Sequence, residues 1–368
     1  MATTDLGPTP GAGRVRSAPG ARLAGDRSAR ARLVLAGLAV LLCVVAVASL
    51  TVGATGTALW PVLKTLASGE ALAPRDRIVL LDIRLPRMVM GLLVGGALAV
   101  AGAVMQGLFR NPLADPGLVG VSAGAGLGAV GTIVLGGLLP AWIAAPFAGY
   151  LVPVAAFAGA WITTLLLYRV STHHGRTSVA VMLLAGIALQ ALAGALSGIL
   201  VYLANDAQLR DLTFWNLGSL AGATWSKVLA AGPIILLALC VVPFLSRALN
   251  ALALGEAAAS HMGIPVQRMK NISILCVAAA AGAAVAVSGG IGFVGIVVPH
   301  LLRLAIGPDH RFLLPASALL GGALLIAADM IARTVVAPAE LPIGIVTAVL
   351  GGPFFLWILL RNRAALGG

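Results

Sequence analysis

The sequence has 368 residues, of which 60% are hydrophobic and only 10% charged, with a mean hydropathy of +1.03. A soluble domain carries about 25% charged residues, so a water-soluble globular protein is excluded. The net charge of +12 does not signal a nucleic-acid partner either. The arginines fall between apolar runs and in the first 32 residues, where basic residues hold loops on the cytoplasmic side of a membrane.

Residues 1–32 are rich in Ala, Gly, Pro and Arg and read as a disordered basic cytoplasmic tail. Beyond it, apolar runs recur to residue 360, each long enough to cross a bilayer core of ~30 Å as a helix. Lipid offers no partner to unpaired backbone groups, so the spans are helices or a closed barrel. Alternating ten-residue segments are absent, and the expected fold is all-α: a polytopic membrane protein with about ten transmembrane helices. The predicted spans are 33–56, 88–107, 117–138, 147–169, 178–203, 228–247, 271–288, 293–306, 313–332 and 343–360. The first run is too long for a signal-peptide core and is expected to be retained. The eighth is short and glycine-rich, which leaves open whether it crosses fully. Residues 362–368 form a C-terminal tail. With both termini cytoplasmic, sixteen of the 24 basic residues fall inside and eight outside, the bias expected of that orientation.

Between the second and third spans lies RNPLADPG, residues 110–117. Two prolines four apart cannot share one regular helix, because each lacks a donor and clashes with the preceding turn. The stretch is expected to be an inner turn with a structural role. In the fifth span, Gly186, Gln190, Gly194, Ser197 and Val201 fall within an arc of about 80°, with leucines opposite. Such a small, weakly polar stripe either packs closely against another helix or walls a translocation path. Between the sixth and seventh spans, residues 249–265 are too polar to cross, yet Leu249, Leu252, Leu254 and Met262 give them an apolar side. That element either lies on the membrane surface or inserts into a cytoplasmic partner.

Chemistry of its own is hard to find. The only lysines, Lys64, Lys227 and Lys270, do not follow the spacing of a phosphate-binding loop; an ATP-driven protein of this kind needs a separate motor. Ion-coupled transport usually places ionisable groups at mid-membrane, whereas the acidic residues here fall in loops or near span ends. Asp329, the most embedded, is expected to pair with Arg333 one turn on. Secondary transport is disfavoured and stays as an alternative. The five histidines map to the inner side, Cys43, Cys240 and Cys276 lie in apolar runs, and no catalytic residue or metal site is assigned.

From about residue 30 to residue 361 the chain resembles the FecCD-type permeases of iron-chelate and cobalamin ABC importers, the type II importer permeases. The resemblance rests on RLPRMVMGLLVGGALAVAGAVMQGLFRNPLADPGLVGVSAGAGLG at 84–128, LAGIAL at 184–189 and FWNLGSL at 214–220. It continues in LGEAAASHMG at 254–263, GGIGFVGIVVPHLLRLAIGPDHR at 289–311 and ELPIGIVTAVLGGPFFLWILL at 340–360. It implies a ten-span permease domain over 33–361, in a bacterial cytoplasmic (inner) membrane, working as a homodimer. Its partners would be two copies of a cytoplasmic ATPase and one periplasmic or lipid-anchored solute-binding protein, besides membrane lipid. Arg84, Arg87 and Arg333 match positions that dock the binding protein; snorkelling to headgroups is the plainer role for them. Leu254, Gly255, Glu256, Ala259 and Gly263 match the segment that couples to the ATPase. Ala257 departs from the pattern, where a second acid is usual, and so does Met262, where leucine is usual.

The family carries haem, ferric siderophores and cobalamin. The run QLRDLTFW at 208–215 resembles the haem-importing branch, so haem is the expected solute, with siderophore and then cobalamin as alternatives. No cofactor is expected to be bound permanently; ATP would be used by the partner subunit. Arg210 in that run either attracts the propionates at the outer mouth or pairs with Asp206 or Asp211.

Overall fold

A computed structural model describes residues 27–52, 68, 73–145, 149–173 and 176–361. The tails at 1–26 and 362–368, the end of the first predicted span and the loop holding Lys64 lie outside the described residues. Eight helices among them are long and apolar enough to cross a membrane, and two shorter apolar helices bring the number to the ten expected. The chain is a multi-pass helical membrane protein.

Helix α1, Ser28–Thr51, starts five residues earlier than predicted. Helix α2, Pro74–Leu108, starts fourteen earlier and includes a π-helical stretch, Ile78–Arg84. The widened turns end just before Pro86, which has no N–H to give to a regular ladder. Then come α3 (Val121–Leu135), α4 (Leu151–Ser171) and α5 (Val179–Leu203). A two-stranded ribbon of β1 (Thr172–His173) and β2 (Arg176–Thr177) joins the last two, a local pairing the sequence reading missed.

After α5 the chain doubles back as α6, Asp206–Leu217. Its start is marked by a capping box in which Asn205 and Gln208 satisfy each other's backbone N–H. Helix α7 (Trp225–Val241) leads through a 3₁₀ turn into α8 (Ser246–Ala253) and the short α9 (Glu256–His261). The remainder is α10 (Val266–Ser288), α11 (Val294–Ile306), α12 (His310–Ala332) and α13 (Ile343–Arg361).

Helix α2 is the axis. The most apolar stretch of α2 is 83% buried, against 17% for α5. Helix–helix association in lipid draws on close van der Waals contact rather than on water exclusion, so small residues mark its interfaces. On α2, Gly95 lies against the Gly321 backbone of α12 and Gly102 against Gly295 of α11. A Cβ at either position would overlap a carbonyl oxygen. Helices α3 and α4 close in the same way, through Gly124 and Gly159.

These contacts also set the depth of each element. Gly102 lies fifteen residues past Arg87 along α2, about 22 Å at ~1.5 Å per residue. Helix α11 therefore begins deep in the bundle, beside Gly102. Its thirteen residues span only about 20 Å, short of the ~30 Å core. The eighth predicted span is thus a half-helix.

If the α2–α12 contact sets the bundle, Gly95→Leu should destabilise it well beyond an ordinary substitution. Overpacking costs ~1–3 kcal/mol where side chains can yield; here the obstacle is backbone. Thermal unfolding of the purified protein should show a clear fall in Tm for Gly95→Leu and almost none for Gly131→Leu, where a Cβ meets open space.

Candidate translocation groove and docking surfaces

An open groove of about 630 Å³ runs between α3 and α5. Of the stripe predicted on the fifth span, Gln190, Gly194, Ser197 and Val201 line it, while Gly186 is buried against the bundle. Gly194 and its neighbour Gly198 leave open space where a side chain would sit. Opposite them are Ser122, Gly126 and Val130 of α3, with Asn216 of α6 and Asp115 completing the wall. The stripe suggested a surface with little hydrogen bonding. Ser122, Asn216 and Asp115 make the groove more polar than that, and single-helix periodicity gave no sign of them.

Non-helical backbone converges at this groove. The α6 C-terminus, the 289–293 segment and the start of α13 meet one another. Ser219 N–H donates to Ser288 O at 2.8 Å, Gly290 N–H to Trp215 O at 3.2 Å and Ile343 N–H to Gly218 O at 3.0 Å. Gly218 and Gly289 take positive φ there, +69° and +71°, which their lack of a Cβ permits. Irregular backbone at membrane depth survives only where it is buried in protein or borders a cavity, and helices broken near mid-membrane are typical of transporter binding sites. Three discontinuities meet beside this one groove.

RNPLADPG forms the floor. Asp115 caps a short 3₁₀ turn, Pro116–Val119, by accepting from Gly117 N–H at 2.8 Å. Gln190 Nε2 reaches down from α5 to donate to Gly117 O at 2.8 Å. On the far side, Gln106 Nε2 donates to Gly295 O at 3.0 Å, and Arg303 Nη1 donates to Gln106 Oε1. Gln106 thus ties α2 to α11 beside the floor.

The predicted docking arginines are not exposed. Arg84, Arg87 and Arg333 keep 4%, 7% and 6% of their surface and engage groups within the chain. Arg87 forks between two carboxylates: Nε to Asp329 at 2.9 and 3.0 Å, and Nη1 to Glu340 at 2.9 and 3.0 Å. Asp329 was expected to pair with Arg333; that contact exists at 3.7 Å but is secondary to Arg87. The other arginines close the end of α1. Arg84 Nη1 donates to Leu50 O at 2.5 Å, and Arg333 Nη2 to Ser49 O at 2.7 Å and Ser49 Oγ at 2.9 Å. The last carbonyls of a helix lack partners and carry partial negative charge, so cations there are favourable.

At the opposite end, the predicted apolar side of 249–265 splits. Leu249 and Leu252 are buried, whereas Leu254 and Met262 are 72% and 53% exposed. Gly255 and Gly263 bracket α9 with φ of +109° and +77°, and Ala259 pins it to the bundle. Glu256 pairs with Lys270 Nζ at 2.6 Å, and the same ammonium donates to Thr177 O at 3.0 Å, tying α9 to α10 and the ribbon. Asn250 of α8 donates to Asp309 at 2.7 Å and accepts from His310 N–H at 2.9 Å. Burial would lift the Asp309 carboxyl, but hydrogen bonds from Arg311 and Asn250 outweigh it and hold it below its ordinary value. Arg110 of RNPLADPG lies beside Gly255, which puts the turn at the same end as α9.

This architecture has close counterparts. The FecCD transport family matches residues 26–361. The chain belongs to the FecCD transport family. Within it, the hemin transport system permease protein HmuU of Yersinia pestis is 46% identical over 338 residues, 92% of this chain and 98% of HmuU. The vitamin B12 import system permease protein BtuC of Escherichia coli is 44% identical over 302 residues, 81% of this chain and 88% of BtuC. A solved structure described as an inward-facing conformation of a metal-chelate type ABC transporter superposes with a TM-score of 0.78 at 32% identity, covering 90% of this chain and 99% of its own. As a FecCD protein the chain is a permease and not itself a catalyst. Sequence reasoning missed Asp115, Asn216 and Glu340 at these sites, although all three stand inside the family blocks.

The buried cluster makes a measurable demand. Arg87→Met leaves Asp329 buried beside a single distant arginine, and breaking a buried pair from one side costs ~3–5 kcal/mol. The variant should unfold at a markedly lower temperature, and adding Asp329→Asn should recover part of the loss. An arginine that served only a partner would leave Tm unchanged.

Proposed function

We propose that this chain is the permease of an ATP-driven importer that moves haem into the cytoplasm of a bacterium. The observation carrying the solute is likeness to a hemin permease along 98% of that protein's length. The groove agrees with it, being wide, mostly apolar and bordered by small residues of α3 and α5. Arg210 on α6 is exposed, and among the described residues neither Asp206 nor Asp211 pairs with it, which leaves its charge for propionates at the mouth. Cobalamin is the second reading, on 44% identity to BtuC; the shorter match, 88% of that protein, ranks it lower.

The working unit is a homodimer with two copies of a separate ATPase and one extracytoplasmic binding protein, and both termini are cytoplasmic. Helix α5, only 17% buried in the single chain, supports a second copy across the groove. The exposed Leu254 and Met262 beside Gly255, Glu256, Ala259 and Gly263 give the ATPase an apolar seat. Arg84 and Arg333 reach the binding protein only when the α1 end yields them.

In proteoliposomes holding this chain with its ATPase and binding protein, haem uptake should require ATP and ignore ionophores. Ferric hydroxamates and cobalamin should not be taken up. Gly194→Trp, which fills open groove without a clash, should stop delivery while ATP hydrolysis continues. Uptake driven by an ion gradient without the ATPase would overturn the importer reading, and uptake of another solute would overturn haem alone.

Docking is tested separately. Arg84→Glu or Arg333→Glu should weaken binding-protein association by about tenfold or more, since truncating one partner of a desolvated charge pair typically costs ~2–5 kcal/mol. The permease–ATPase complex should stay assembled on size-exclusion. Unchanged affinity in both variants would confine these arginines to the α1 end.

A further inference from the structure

A second groove, of about 120 Å³, opens on the flank of the bundle between α4, α7 and α10. Its walls are Val154, Phe157, Ala230, Ile234 and Ala283, with Tyr150 at one end. It plays no part in the translocation groove, whose walls come from other helices. From Tyr150 to Phe157 is seven residues, about 10 Å of depth along α4. The N-terminal ends of α4 and α7 and the C-terminal end of α10 meet at its mouth. Trp225 Nε1 donates to Leu81 O at 2.8 Å there, so the mouth lies at the Arg84 end of the molecule.

About one turn before Ala230 on α7, outside the lining itself, stands a lysine. Lys227, Ala230, Ala231 and Ile234 are spaced three and four apart and share a face of α7. Side chains on a helix lean toward its N-terminus, which carries the Lys227 ammonium up to the mouth. It donates to the Gly222 carbonyl at 2.9 Å, and among the described residues no carboxylate pairs with it. Tyr150 adds an amphipathic ring at the same level, where tyrosines gather at membrane interfaces. An apolar slot below a lysine and a tyrosine matches one occupant: an acyl chain beneath an anionic headgroup.

We infer that the α4–α7–α10 groove binds an anionic glycerophospholipid, its acyl chain along Phe157 and Ile234 and its phosphate on Lys227. Basic pockets between membrane helices hold lipid headgroups by the same chemistry. A bound chain would fill the flank against which α10 packs on α2, so the site bears on bundle stability, independently of which solute is carried.

The test is native mass spectrometry of the purified chain in detergent containing equal phosphatidylglycerol and phosphatidylcholine of matched acyl chains. Wild type should retain phosphatidylglycerol about fivefold over phosphatidylcholine, the ratio that ~1 kcal/mol from one lysine near an anionic headgroup gives. Lys227→Gln should abolish the preference while keeping lipid bound. Ala230→Trp, which fills the groove from an exposed position, should lose both lipids, and a phosphatidylglycerol with a photoreactive acyl chain should label the peptides holding Phe157 and Ala283 only when Ala230 is intact. Equal retention by wild type, an unchanged preference in Lys227→Gln, or labelling elsewhere overturns the site. Disulfide cross-links between copies at positions 154 and 230 would also overturn it, making the groove a protein interface.

Discussion

Everything in this molecule hangs on how closely α2 can approach its neighbours. At Gly95 and Gly321 the backbones of α2 and α12 touch without side chains between them, and at Gly102 and Gly295 the same is true of α2 and α11. In water such contacts would be a minor part of a larger apolar burial. In lipid, where tails are as apolar as leucine, they supply the difference between associated and separate helices. The consequence reaches the groove, because the Gly102 contact fixes the depth at which α11 starts and therefore where the chain must run without helical hydrogen bonds.

That non-helical backbone is the second constraint. Three breaks, after α6, before α11 and before α13, would each be costly alone at this depth. Placed together they satisfy one another, through Ser219 with Ser288, Gly290 with Trp215 and Ile343 with Gly218. The arrangement leaves polar groups beside the groove at no loss of bonding. Gln190, Gly117 and Asp115 continue it into the turn, and Gln106 with Arg303 continues it along α11. Arg110 of the same turn lies beside Gly255, so the groove floor and the approach to α9 belong to one short segment carrying Pro112 and Pro116.

Much of this was legible in the sequence, and what was not has a common cause. Each span of about twenty apolar residues could be placed, and so could the α5 stripe, because both are properties of one helix. The half-helix α11 showed itself as a short, glycine-rich run. Contacts between distant segments left no such trace. Arg87 with Glu340 spans 253 residues, and nothing in the local pattern of either tells of the other. The stripe foretold Gln190, Gly194, Ser197 and Val201, but not the Asp115, Ser122 and Asn216 that face them. Likewise the apolar residues of 249–265 were read as one side, whereas a helix break at Gly255 turns Leu249 and Leu252 inward and Leu254 outward.

The arginine cluster shows why position in a family motif and role in a structure need separate argument. Arg87 pairs with Asp329 and Glu340, and Arg333 with Asp329 at longer range. The end of α1 adds a negative pole: a helix C-terminus carries about −0.5 of a charge, here on the Ser49 and Leu50 carbonyls that Arg333 and Arg84 engage. Arg87, paired twice with acids, is fixed. Arg333 meets Ser49 through a carbonyl and a hydroxyl, and Arg84 meets the Leu50 carbonyl, so two of the three arginines that match a docking motif also cap the first helix.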